Sequence, residues 1–159
     1  MWANKLGLDH YNEILINEFF NLMVISKADY TILFRKLSDI PDNLSSLTDS
    51  FYVPINDEIN QRWEVWLKNW KYTINKEVNI KSKSESMKSY NPVYTWREWM
   101  VFPAYEDAEK GNYNKIKELQ AVLSNPYTEQ SSEIDQKYNR LKPKHYFNSG
   151  GVSHYSCSS

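Results

Sequence analysis

Residues 56–74 read NDEINQRWEVWLKNWKYTI. Ile59, Trp63, Trp66, Leu67, Trp70 and Ile74 recur at spacings of 4, 3, 1, 3 and 4, the period of a helix with one apolar face. Glu58, Arg62, Lys68 and Asn69 fall on the opposite face. The pattern predicts a helix starting near Asn56 or Asp57. Three tryptophans in a row also suit a surface that stacks on carbohydrate rings. The helical period favours a stripe docked into a core, because large aromatic faces gain most when they leave water. Such a stripe needs other helices to cover it.

Those partners are legible on both sides. Upstream, Asp9 is a candidate cap for a first helix with the inward stripe Leu15, Phe19, Leu22 and Met23. Ser26, with Asp29 three residues on, resembles a capping box in which Asp replaces Glu, opening a second helix with Tyr30, Leu33, Phe34 and Leu37 on one face. PDNLSSLTDSFYVP, from Pro41 to Pro54, reads as a loop. Downstream, VNIKSKSESMKS reads as a connector, and Asn91-Pro92 as a turn before a fourth helix carrying Trp96, Trp99, Met100, Ala104 and Ala108. Pro103 lies inside that helix and should kink it or delay its start. Gly111 should end it. A fifth helix carries Ile116, Leu119, Val122 and Leu123 and stops at Asn125-Pro126. The last two, joined by EKGNYN, look like one tetratricopeptide unit without a second copy to stack on. Beyond Gln130 the periodicity dissolves, with Gly150-Gly151 as a joint. The expected fold is all-α: an irregular bundle of about five helices over residues 1–130 and an extended tail over 131–159.

Composition narrows the function. A chain of 159 residues with 6 Trp, 12 Tyr and 6 Phe can build an aromatic core, and only 4 Gly and 6 Pro argue for helices over a loop-rich barrel. A net charge of −1 with interspersed Lys and Glu gives no electrostatic reason to expect nucleic acid. The most basic stretch, Lys81 to Lys88, is offset by Glu85 and reads as solvated. No apolar run approaches membrane-spanning length, so no membrane partner is expected. MWANKLGLDHYNE has neither a signal-peptide nor a transit-peptide pattern.

Chemical motifs are few. Gly7 and Gly111 are isolated, so there is no phosphate-binding glycine loop, and there is no kinase catalytic-loop or DFG pattern. His145, His154 and Cys157 would make three zinc ligands without a fourth. Cys157 is the sole cysteine, set in HYSCSS at the end of the chain. It excludes an internal disulfide, so the compartment is reducing or the thiol has a partner outside this chain. Ser156 stands where prenylation would need a cysteine. No basic neighbour stabilises a Cys157 thiolate, and the Ser159 carboxylate disfavours it. An exposed thiol there could form a disulfide with another cysteine, or have no role.

Several stretches resemble the selenoprotein O (SelO/YdiU) family, in family order along most of the chain. They are FFNLMVISKADYTILFRKLS (Phe19 to Ser38), NPVYTWREWM (Asn91 to Met100), AYEDAEKGNYNKIKELQAVLSNPY (Ala104 to Tyr127) and the terminal SCSS. The resemblance implies a protein with a kinase-like architecture that binds ATP in an inverted pose. That protein would transfer AMP to protein hydroxyls with magnesium and an aspartate base. This chain resembles its C-terminal third. The nucleotide, metal and base residues would then lie before Met1, leaving no catalytic residue and no cofactor in this segment. Its partners would be the kinase-like core and, through it, the protein substrates. Only Cys157 carries over, as half of a redox-sensitive disulfide with a cysteine of that core. The rival expectation is a stand-alone helical interaction module from a truncated or split gene. A segment removed from its parent should expose apolar surface on the tryptophan helix or the first two helices, whereas an independent module should bury it.

Overall fold

A computed structural model describes residues 1–74 and 79–147 and separates two units, Met1–Pro92 and Val93–Ser159. The helices are α1 (Trp2–Lys5), α2 (Glu13–Ile25), α3 (Tyr30–Leu37), α4 (Asp57–Ile74) and α5 (Ile80–Tyr90) in the first unit. The second holds α6 (Glu98–Glu109), α7 (Asn114–Ser124) and α8 (Ser132–Tyr138). Every named element among the described residues is an α-helix or a 3-10 helix, as expected for an all-α fold.

The tryptophan helix organises the first unit. The Asn56 side chain accepts from the Ile59 N–H at 2.9 Å, and Asp57 and Glu58 complement the dipole in the first turn. Trp63, Trp66 and Trp70 are buried, at 0%, 2% and 0% exposure, which makes the stripe a core face. Each of these three indole N–H groups has an acceptor: Trp63 donates to Ser26 Oγ at 3.4 Å, Trp66 to the Leu15 carbonyl at 2.8 Å and Trp70 to the Leu6 carbonyl at 2.8 Å. Burial of this stripe thus leaves none of its three indole N–H groups orphaned.

The helix ends differ from expectation. Asn12, not Asp9, caps α2, because its carboxamide stands three residues before the Leu15 N–H and accepts from it at 3.1 Å. Asp9 instead pairs with Lys83 at 2.9 Å. Ser26 closes α2 and does not open α3; its hydroxyl donates back to the Leu22 carbonyl. Lys27 then takes a left-handed conformation, φ 49°, and Asp29 caps α3 by accepting from Ile32 N–H at 3.0 Å. The loop after Pro41 contains a 3-10 helix, Leu44–Ser50, that buries Leu44 and Leu47.

The expected connector is helical. Asn79 caps α5 by accepting from Lys81 N–H at 3.0 Å, and Met87 is its one buried residue. Gly7, at φ 65°, faces that methionine: a Cβ there would stand 2.8 Å from Met87 Sδ. The left-handed backbone therefore favours glycine, and any Cβ there would also force the Met87 side chain to shift.

In the second unit α6 and α7 form the expected hairpin, turned by Gly111 at φ 81°. Trp99, Met100, Ala104, Leu119 and Val122 make its core with Val93, Tyr94 and Tyr138. Pro103 remains within α6, which begins at Glu98 and leaves Trp96 outside, 65% exposed. Residues 132–138, expected in the extended tail, form α8, capped by Ser131 and closed by buried Tyr138.

Candidate functional site

Two features of the described residues stand out as more than core. The first is a groove of about 380 Å³ between α2 and α4. On α4 it is lined by Glu58, Gln61, Arg62, Val65, Trp66 and Asn69, and on α2 by Ile14, Leu15 and Glu18. The α4 residues recur every three or four positions, so they form a second stripe beside the tryptophan stripe. Leu15 and Trp66 are buried and make the floor; Ile14 and Val65, next to them in sequence, are 85% and 55% exposed. Arg62 donates to Glu18 from Nη2 at 2.7 Å and from Nε at 3.2 Å, tying the two helices together across the groove. The polar face read from the sequence at Glu58, Arg62 and Asn69 is therefore one wall of a cleft. The signal for it was present: an apolar residue one step outside the stripe on each helix.

The second feature holds α8 in place ahead of the chain's end. The Tyr94 phenol donates to Asp135 and accepts from the Gln130 N–H at 3.2 Å. The Tyr138 phenol donates to Glu118 at 2.5 Å, and Lys137 bonds the same carboxylate. Burial, then the bond to Asp135, pushes the Tyr94 phenol up to about 12. Burial, then Glu118, raises Tyr138 as well. A phenol whose pKa is raised by folding contributes full stability below its unfolded pKa near 10 and loses it as pH rises toward the folded value. The phenols' contribution to the stability of the second unit should therefore be complete below about pH 10 and decline progressively above it. Tyrosinate absorbance against pH, beside Tyr94→Phe, checks this: the variant should lack one late-titrating phenol.

Of the residues singled out in the sequence, His145 lies in a 3-10 turn, Lys144–Phe147, with its ring 4.2 Å from that of Tyr146. His154 and Cys157 lie outside the described residues. Among the described residues no group of three His, Cys, Asp or Glu side chains is placed to hold a metal ion.

The profile of a family described as protein adenylyltransferase SelO matches residues 1–124. The chain is similar over its full length to a protein nucleotidyltransferase YdiU of Tolumonas auensis, 33% identical across 171 aligned positions that make up 32% of that protein. It is 30% identical to a protein of the same description from Flavobacterium johnsoniae, again over 32% of that protein. A third, from Rhodopirellula baltica, is 26% identical over 33% of its length. The chain thus spans about a third of the length of the curated relatives it matches.

Proposed function

This chain belongs to the protein adenylyltransferase SelO family, and from that premise we propose that it is the non-catalytic C-terminal segment of a SelO-type protein. The longer protein transfers AMP from ATP to protein hydroxyls, the hydroxyl oxygen attacking the α-phosphorus and pyrophosphate leaving. ATP and magnesium belong to the kinase-like part, which this segment buttresses. One observation carries the reading: the chain aligns along all of its own length with only 32% of the Tolumonas relative. The α2–α4 groove, apolar and open, agrees with it. Cys157 has a role in this reading too. It exchanges with a disulfide such as oxidised glutathione and then links to a cysteine of the kinase-like part.

The alternative, a stand-alone helical interaction module, draws on a different observation. The tryptophan stripe is buried within the chain's own first unit and so does not need a parent to cover it.

Calorimetry of the isolated chain with ATP and magnesium should give no binding heat, since transfer needs a phosphate cradle and carboxylate-held metal, the sequence has no glycine-rich phosphate loop, and no group of three His, Cys, Asp or Glu side chains is placed for a metal among the described residues. Mixed with the Tolumonas relative lacking its matched residues, the chain should raise AMP incorporation into protein, and Cys157→Ser should abolish any dependence on reductant. Micromolar ATP binding by the chain alone would overturn the segment reading. Equal activity of Cys157→Ser and the unsubstituted chain, with and without reductant, would remove the redox role.

A further inference from the structure

Resting on the reading of this chain as one segment of a longer polypeptide, we infer that the α2–α4 groove is the seat of the remaining polypeptide. The remainder inserts an apolar side chain between Ile14 and Val65 and sets a lysine or arginine against Glu58. Singly exposed apolar residues are ordinary on protein surfaces, but these two converge on one concavity with a rigid apolar floor. The floor is fixed because Trp66 is held by its bond to the Leu15 carbonyl at 2.8 Å. The walls are fixed by the Arg62–Glu18 bridge at 2.7 Å. A preformed apolar site of this kind loses little freedom when it is filled.

Charge selects the occupant's flank. Arg62 and Glu18 neutralise each other, while Glu58 makes no ion pair among the described residues and leaves a net negative wall. A basic residue beside the inserted apolar one complements it, and an acidic one is repelled. The source of such a segment is the family polypeptide itself, because relatives carry about two-thirds of their length outside the region this chain matches.

The test is co-expression of the full 159-residue chain with the Tolumonas relative truncated of its matched residues, followed by an affinity measurement on the purified pair. Ile14→Lys and Val65→Lys alter exposed side chains, so each isolated variant should melt like the unsubstituted chain. Each should weaken association by on the order of tenfold or more, as for a residue at the centre of an interface. Glu58→Lys should weaken it less and reduce its salt dependence. Val24→Lys, on α2 and 76% exposed but outside the groove, should leave association unchanged. Association that survives Ile14→Lys and Val65→Lys overturns the groove as the seat and leaves the segment reading standing. Failure of the unsubstituted chain to associate overturns both.

Discussion

Trp66→Ala is expected to destabilise the first unit by about 3–5 kcal/mol, the range for removing a large aromatic from a packed core. The indole is 2% exposed, stacks on Trp70 at 5.6 Å with an interplanar angle of 9°, and meets Phe19 at 4.9 Å. Truncation removes those contacts, opens a cavity between α2 and α4, and removes the indole's bond to the Leu15 carbonyl. For a domain of this size each kcal/mol moves the melting temperature by about 4–8 °C, so the variant should melt well over ten degrees lower. Thermal and urea denaturation of the full chain, followed by tryptophan fluorescence, read the effect. Val65→Ala, one position away but 55% exposed, should stay within about 0.5 kcal/mol. A wild-type melt for Trp66→Ala would mean that the stripe is not a core, and a ring-stacking surface would again describe it better.

The same helix shows what sequence could and could not deliver. The stripe was legible because α4 must bury one face and expose the other, and that requirement writes itself into spacing. Likewise Leu15, Phe19, Leu22 and Met23 mark α2, and all four are buried. Caps were harder. Asp9, Asn12, Ser26 and Asp29 are all competent side chains, and which one acts depends on where the chain first turns into the helix. The α5 helix escaped notice because it buries only Met87, and a helix held at one point has no stripe to read. The α8 helix escaped for the same reason: Tyr138 is its one buried residue, and bonds from tyrosines to carboxylates hold it in place of apolar periodicity. The groove was missed because it is a property of two helices together. Ile14 and Val65 look like routine exposed residues until α2 and α4 are side by side. For Cys157 only the family resemblance suggested a role, since its neighbours in sequence do not favour a thiolate.

The second large effect is expected at Asn91, which is fully buried and joins three elements of the first unit. Its amide nitrogen donates to the Lys5 carbonyl at 2.8 Å and to Ser38 Oγ at 2.9 Å, and its amide oxygen accepts from Lys5 Nζ at 3.1 Å. Arg35 donates to the Asn91 and Lys88 carbonyls at 3.2 Å and 3.4 Å, and Lys5 to the Tyr90 carbonyl at 2.8 Å, so side-chain cations satisfy the open end of α5. Pro92 holds Asn91 out of the helical region, which is why α5 stops there and turns this carboxamide inward. Asn91→Leu keeps the branched shape in a larger side chain; it leaves the Lys5 carbonyl without its donor and takes from the Ser38 hydroxyl the bond it accepts, while that hydroxyl still donates to the Phe34 carbonyl. The unsatisfied Lys5 carbonyl costs about 1–3 kcal/mol, and fitting the larger side chain into a fully buried site adds to that loss. The loss should be local before it is global: α5 makes few apolar contacts, so its amides should exchange with solvent much faster in the variant while those of α4 keep most of their protection. Native-state hydrogen exchange across residues 80–90 reads this directly. If α5 and α4 lose protection equally, the Asn91 cluster belongs to the global core; if neither changes, the cluster contributes nothing to holding α5, and the contact of Gly7 with Met87 must suffice.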